Sequence, residues 1–104
     1  MFRADIPPHV SEVIRHLSPD LKPSIKAAVR ALCVNPGEGI PLVKELEGLW
    51  KYRVNRFRIV YAIDRRRKVI RIMAVGHRRS VYEEVAERLP ELRKRKLRGE
   101  GLTL

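Results

Sequence analysis

The sequence predicts an α+β domain: an N-terminal strand, a two-helix hairpin packed on an antiparallel β-sheet, and a C-terminal helix. Three observations carry that expectation. Apolar residues in the first third recur at helical spacing. Three later runs rich in Val, Ile and aromatics are separated by short polar turns. A capped helical segment follows the last of them. A chain of 104 residues fits one domain with a modest core.

Phe2 to Ile6 reads as a short strand, ended by Pro7-Pro8, which also suit a first helical turn. Val10, Val13, Ile14 and Leu17 form one apolar face of the first helix. Ser18-Pro19 breaks the chain and starts a second helix, with Ser18 as N-cap. Leu21, Ile25, Val29 and Leu32 line its apolar face, and Asn35-Pro36-Gly37 stops it. Residues 35–41 hold two Pro and two Gly and read as a loop. Leu42 to Leu46 reads as a turn or strand lead-in. Trp50 to Val54, Phe57 to Asp64 and Lys68 to Gly76 are the three strands of a meander. Ser80, with Glu83 three residues later, opens a helix that runs to Leu89, where Pro90 stops or kinks it. The domain is therefore expected over 1–90, with a basic, mobile tail over 91–104.

The charge is the unusual property. Formal net charge is +11 and the pI about 10.7. Such a balance argues for a polyanionic partner, nucleic acid above all. Cys33 is the single cysteine, which excludes an internal disulfide and reads as a small buried hydrophobe. Asp5 and Pro7-Pro8 interrupt any apolar leader, and no run is long enough to span a membrane. A soluble cytoplasmic protein with no membrane contact is expected.

Strand alternation localises the charge. Trp50, Tyr52 and Val54 share one face, and Lys51 and Arg53 the other. With Asn55-Arg56 as a two-residue turn, Val54 meets Phe57 and Arg53 meets Arg58. Lys51, Arg53 and Arg58 then converge on one face. Like charges opposed across a ladder destabilise it by about 0.2–1 kcal/mol, so a purely structural sheet would alternate signs. Arg56, Arg71 and Arg79 add to the same basic stretch as RNA-binding candidates. Gly76-His77-Arg78-Arg79-Ser80 is a basic turn leading into the helix that carries Tyr82, which could stack on an unpaired base or pack on the sheet edge. His77 reads equally as a solvated loop residue or a proton-transfer group.

These residues resemble a known family. Leu46-Glu47-Gly48-Leu49-Trp50-Lys51-Tyr52-Arg53-Val54, then Phe57-Arg58-Ile59-Val60-Tyr61, then Val75-Gly76-His77-Arg78 and Val81-Tyr82, are similar to the RelE/ParE superfamily of toxins from type II toxin–antitoxin modules. The resemblance runs to about Leu89. It implies a RelE-like microbial ribonuclease fold and a ribosome-dependent mRNA endonuclease that arrests translation. The ribose 2′-OH would attack the adjacent phosphate without metal or other cofactor. By motif, Lys51 matches a candidate catalytic base, and Arg53 stands where RelE has a second lysine. Arg58 matches the phosphate-stabilising arginine, Arg78 the arginine of the last loop, and Tyr82 the tyrosine that stacks on the base. The implied partners are a cognate antitoxin, the ribosome and its mRNA, with operator DNA reached only through the antitoxin.

The chain also departs from the RelE pattern. Its loop from Gly76 to Tyr82 is shorter, so Arg78 and Arg79 compete for one role. His77 replaces a lysine and is a candidate acid. Glu38 is a weak match to the glutamate base of certain relatives. Two other readings stay open: a ParE-like inhibitor of DNA gyrase, and a non-catalytic RNA- or ribosome-binding protein.

Overall fold

The computed structural model describes residues 1–97, and from Pro90 onward the backbone alone. The order is β1 (Arg3–Asp5), α1 (Pro8–Arg15), α2 (Leu21–Val34), β2 (Ile40–Pro41), β3 (Trp50–Val54), β4 (Phe57–Asp64), β5 (Val69–His77) and α3 (Val81–Leu97). Single 3-10 turns occupy Pro36–Glu38 and Lys44–Leu46. One five-stranded sheet has the order β1-β5-β4-β3-β2.

The prolines place the start of α1, whereas α2 begins at Leu21, three residues after the expected N-cap Ser18. Pro8 is the first residue of α1. The Ser18 hydroxyl accepts the Leu21 N–H at 3.3 Å, which satisfies one of the orphan donors at the start of α2. Val10 and Ile14 of α1, and Ile25, Ala28, Val29, Leu32 and Cys33 of α2, are buried against one face of the sheet. Trp50, Tyr52, Val54, Phe57, Ile59, Tyr61, Ile70, Ile72 and Val75 answer them from the strands. Burial pushes the Cys33 thiol up from its ordinary pKa, which keeps it protonated and unreactive.

A second, smaller core lies on the opposite face. Val81, Val85 and Leu89 of α3 cover Val60, Ala62 and Ala74, with Leu49 beside them. Two cores of opposite facing require strands with apolar residues on both sides. β4 meets this requirement at its centre, where Ile59, Val60, Tyr61 and Ala62 are all buried. The ends of β3 and β4 are covered by helices on one side alone, and there the cations stand.

Three expectations need correction. The sheet is mixed, because β1 runs parallel to β5. A parallel neighbour needs a long crossover, and both helices and three strands lie between them. The 35–41 loop ends in a strand, as Ile40 and Pro41 pair with Lys51 and Trp50 at the sheet edge. Pro90 does not end α3, which continues to Leu97. Of the expected tail, residues 98–104 lie outside those described. The β4–β5 ladder also holds a bulge. Val60 pairs with Ala74 and Tyr61 with Ile72, so Met73 is the extra residue.

Leu32 is fully buried between α2 and the sheet. Leu32→Ala is expected to cost about 2–5 kcal/mol, read as a lower denaturant midpoint with an unchanged slope.

Candidate functional site

The β3–β4 register is Val54↔Phe57, Arg53↔Arg58, Tyr52↔Ile59 and Lys51↔Val60. Lys51, Arg53 and Arg58 therefore share the face that α3 only partly covers. Asn55 opens the turn with a φ of 54°, a conformation its short polar side chain tolerates. The Arg58 guanidinium folds back on that turn. It donates to the Asn55 carbonyl at 3.1 Å and the Phe57 carbonyl at 2.9 Å. These bonds draw it toward the turn and relieve its opposition to Arg53.

The last strand completes the surface. The Arg78 N–H donates to the Arg56 carbonyl at 3.0 Å, which locks the loop after β5 onto the β3–β4 turn. The Ser80 hydroxyl turns back to the His77 carbonyl at 3.5 Å. A concavity of about 690 Å³ results, lined by Arg53, Asn55, Arg56, Arg58, His77, Arg78 and Arg79. A second, of about 340 Å³, is lined by Glu38, Gly39, Ile40, Lys51, Tyr52, Arg53 and Arg58. Arg53 and Arg58 border both, so the two form one cationic surface with a carboxylate at one end.

Tyr82 stands beside this surface. The Lys51 ammonium lies 6.0 Å from its ring centroid, at the limit of a cation–π contact. The ring is half-buried against the core beneath α3.

The structure thus brings Lys51, Arg53, Arg56, Arg58, Arg78, Arg79 and Tyr82 together. His77 sits at the rim. It lines the larger concavity, pairs with Phe57, and its ring meets the Phe57 ring edge-on at 6.0 Å. Arg71 stands apart, beyond the middle of β5, where it is bound to Asp5 at 3.1 Å. Among the described residues, no group of three or more His, Cys, Asp and Glu is placed to hold a metal ion.

Glu38 and Gly39 carry the part of the surface that strand patterning does not reveal. Tyr61 fixes their loop. Its hydroxyl donates to the Pro36 carbonyl at 2.7 Å and accepts the Gly39 N–H at 3.2 Å. A Cβ on Gly39 would fall against the Tyr61 hydroxyl and within 2.5 Å of the Lys51 carbonyl, so glycine alone permits this approach. The Pro-Gly-Glu-Gly run marks a tight loop in the sequence. Nothing local shows that a strand tyrosine more than twenty residues later anchors it.

A family model described as the ParE toxin of the type II toxin–antitoxin system parDE matches residues 10–82. The chain belongs to the RelE/ParE family of toxins. No curated protein matches the toxin in sequence. Several solved structures share its fold. The RelBE2 toxin–antitoxin complex of Mycobacterium tuberculosis aligns with a TM-score of 0.68 at 24% identity, over 74% of this chain and 98% of that one. The isolated Escherichia coli RelE toxin aligns at 0.66 and 20% identity, over 86% and 99%. The YoeB/ParE toxin of Agrobacterium tumefaciens aligns at 0.64 and 14%, over 73% and 98%.

Two predictions follow from the Tyr61 anchor. Burial raises the Tyr61 pKa from 10.0 to about 12, with the nearby Glu38 carboxylate adding to the rise and the Gly39 N–H opposing it. Of the three tyrosines, one should therefore titrate late in an ultraviolet phenolate titration, and Tyr61→Phe should abolish that late step. The folded state holds this proton more tightly than the unfolded state. Its stabilising contribution is thus complete below pH 10 and lost as pH rises through about 12. Gly39→Ala should displace the loop and lower stability by about 1–3 kcal/mol, because the Tyr61 hydroxyl loses its buried partners. Thermal or denaturant unfolding reads that loss.

Proposed function

We propose that this toxin cuts mRNA on the ribosome, by attack of a ribose 2′-OH on the neighbouring phosphate. The observation that carries the reading is the convergence of Lys51, Arg53, Arg58 and Arg78 on one open face with Tyr82 beside it. The reaction forms a bond from the 2′-oxygen to phosphorus and breaks the bond to the 5′-oxygen. A base must take the 2′-OH proton and an acid must protonate the leaving 5′-oxygen. Charge accumulates on the phosphate oxygens in between, and fixed cations aimed there lower the barrier.

The roles divide by chemistry. Arg53 and Arg58 stay charged and suit the phosphate. Lys51 and Glu38 border one concavity with them and are the groups that can take a proton. Arg78 and Arg79 both border the larger concavity, and either can fill the loop-arginine role. His77, at the rim, must turn from Phe57 to act as the acid. Tyr82, half-buried, offers the uncovered part of its ring for a base to stack on beside Lys51. The partners under this reading are the ribosome with its mRNA, and a cognate antitoxin, since relatives of this fold are found in toxin–antitoxin complexes. Outside the cationic face, the domain over 1–90 serves as its scaffold.

A second reading has one specific support: the family model that matches is a ParE model. Under it the toxin inhibits DNA gyrase and cuts no RNA. The cationic face favours the first reading, because a phosphate under attack needs that charge.

Purified toxin added to programmed ribosomes should yield cleavage at the codon in the A site. Arg58→Ala is expected to lower the single-turnover rate about 10²–10³-fold, the usual effect of removing one group that stabilises transition-state charge. Lys51→Ala should lower it comparably. An uncleaved message with the wild type would overturn the reading, and inhibition of supercoiling by the same preparation would establish the second.

A further inference from the structure

The basic stretch does not form one surface. Arg65, Arg66, Arg67 and Lys68 make up the β4–β5 turn, at the opposite end of β4 from Arg58. The eight residues of β4 separate the two ends by about 25 Å. One phosphate at the Lys51 face cannot touch both. The turn is therefore a cationic feature that the candidate site does not use.

Its shape is fixed. The Asp64 carboxylate accepts the Arg67 N–H at 3.0 Å, and Asp64 is itself buried. Lys68 closes the turn with a φ of 57°, a conformation glycine or asparagine adopts at lower cost. The Lys68 carbonyl accepts the Arg3 N–H at 3.0 Å, which brings the exposed Arg3 beside the turn. A cleft of about 250 Å³ lies between them, lined by Arg3, Ala4, Asp5, Arg67, Val69 and Arg71. The acid in this cleft, Asp5, is bound to Arg71. The four turn side chains are all exposed.

The chemistry of the patch selects its ligand. A protein partner is held by a desolvated apolar centre, and the turn exposes no apolar side chain, with Val69 and Ile70 behind it buried. The groove between α1 and α2 differs in this respect, being floored by Ile6, Ile14, Ile25 and Val29. A phosphodiester backbone needs only positive charge at suitable spacing. We propose that Arg65, Arg66, Arg67 and Lys68, with Arg3, form a second RNA-backbone contact that docks the toxin on a folded RNA, remote from the Lys51 face. The inference shares with the proposed function only the premise that RNA is the partner, and it does not require cleavage.

The test measures binding and cleavage separately. The variant Arg65→Gln/Arg66→Gln/Arg67→Gln keeps the Arg67 N–H that orders the turn. A control, Lys22→Gln/Lys26→Gln/Arg30→Gln on α2, removes the same charge elsewhere. Binding to vacant ribosomes is followed by fluorescence anisotropy across a salt series. The turn variant should bind at least tenfold more weakly, with the slope of log K against log salt reduced by about 2–3. The control should stay within threefold of the wild type. If the toxin cuts mRNA, the turn variant should raise the ribosome KM and leave kcat unchanged. Equal losses in both variants would reduce the effect to bulk charge and overturn the proposal. So would unchanged ribosome binding, or a loss confined to an acidic peptide probe such as polyglutamate. Absence of cleavage with the binding loss intact would defeat the proposed function and leave this contact standing.

Discussion

The pairing of Arg53 with Arg58 across β3 and β4 is the constraint around which this surface is built. Register has period 2, so a slip of one residue would turn every side chain of the strand over. Val54↔Phe57 and Tyr52↔Ile59 bury apolar groups against α1 and α2. That burial holds the register and obliges Lys51, Arg53 and Arg58 to face the other way. The hydrophobic core thus imposes the like-charge contact. The carbonyls of Asn55 in the turn and Phe57 at the start of β4 receive the Arg58 guanidinium and make the contact tolerable.

The remaining parts of the site hang on this pair of strands. β5 pairs along the whole length of β4 and carries its closing loop to the β3–β4 turn, where the Arg78 N–H meets the Arg56 carbonyl. α3 then leaves across the sheet, and Val81 packs against Gly76, the residue opposite Arg58. That start places Tyr82 beneath Lys51. On the other flank, Tyr61 reaches through the core to hold the loop that carries Glu38 and Gly39. A core tyrosine and a core register therefore set the two borders of one cationic surface. The position of its charges follows from burial, against the repulsion between them.

How much of this the sequence disclosed depends on the range of the interaction involved. The cationic face was legible because strand alternation and a two-residue turn are local signals, and Lys51, Arg53 and Arg58 follow from them alone. The fold class was legible for the same reason. The parallel β1–β5 pairing was not, since a three-residue strand carries no mark of its neighbour. The bulge at Met73 was hidden because every residue around it is apolar on either face. The placement of Glu38 depends on Tyr61, and that of Arg71 on Asp5, both long-range contacts. His77 lines the concavity with Arg78, but its ring contact with Phe57 was not legible, because it depends on the register of β4 against β5.

The most direct measurement of the central claim is a structure of the Lys51→Ala toxin on a ribosome carrying uncut mRNA. The account places the phosphate of the A-site codon within hydrogen-bond reach of Arg53 and Arg58, with a base against Tyr82. Message lying on the α1–α2 face instead, or a toxin seated away from the A site, would contradict it.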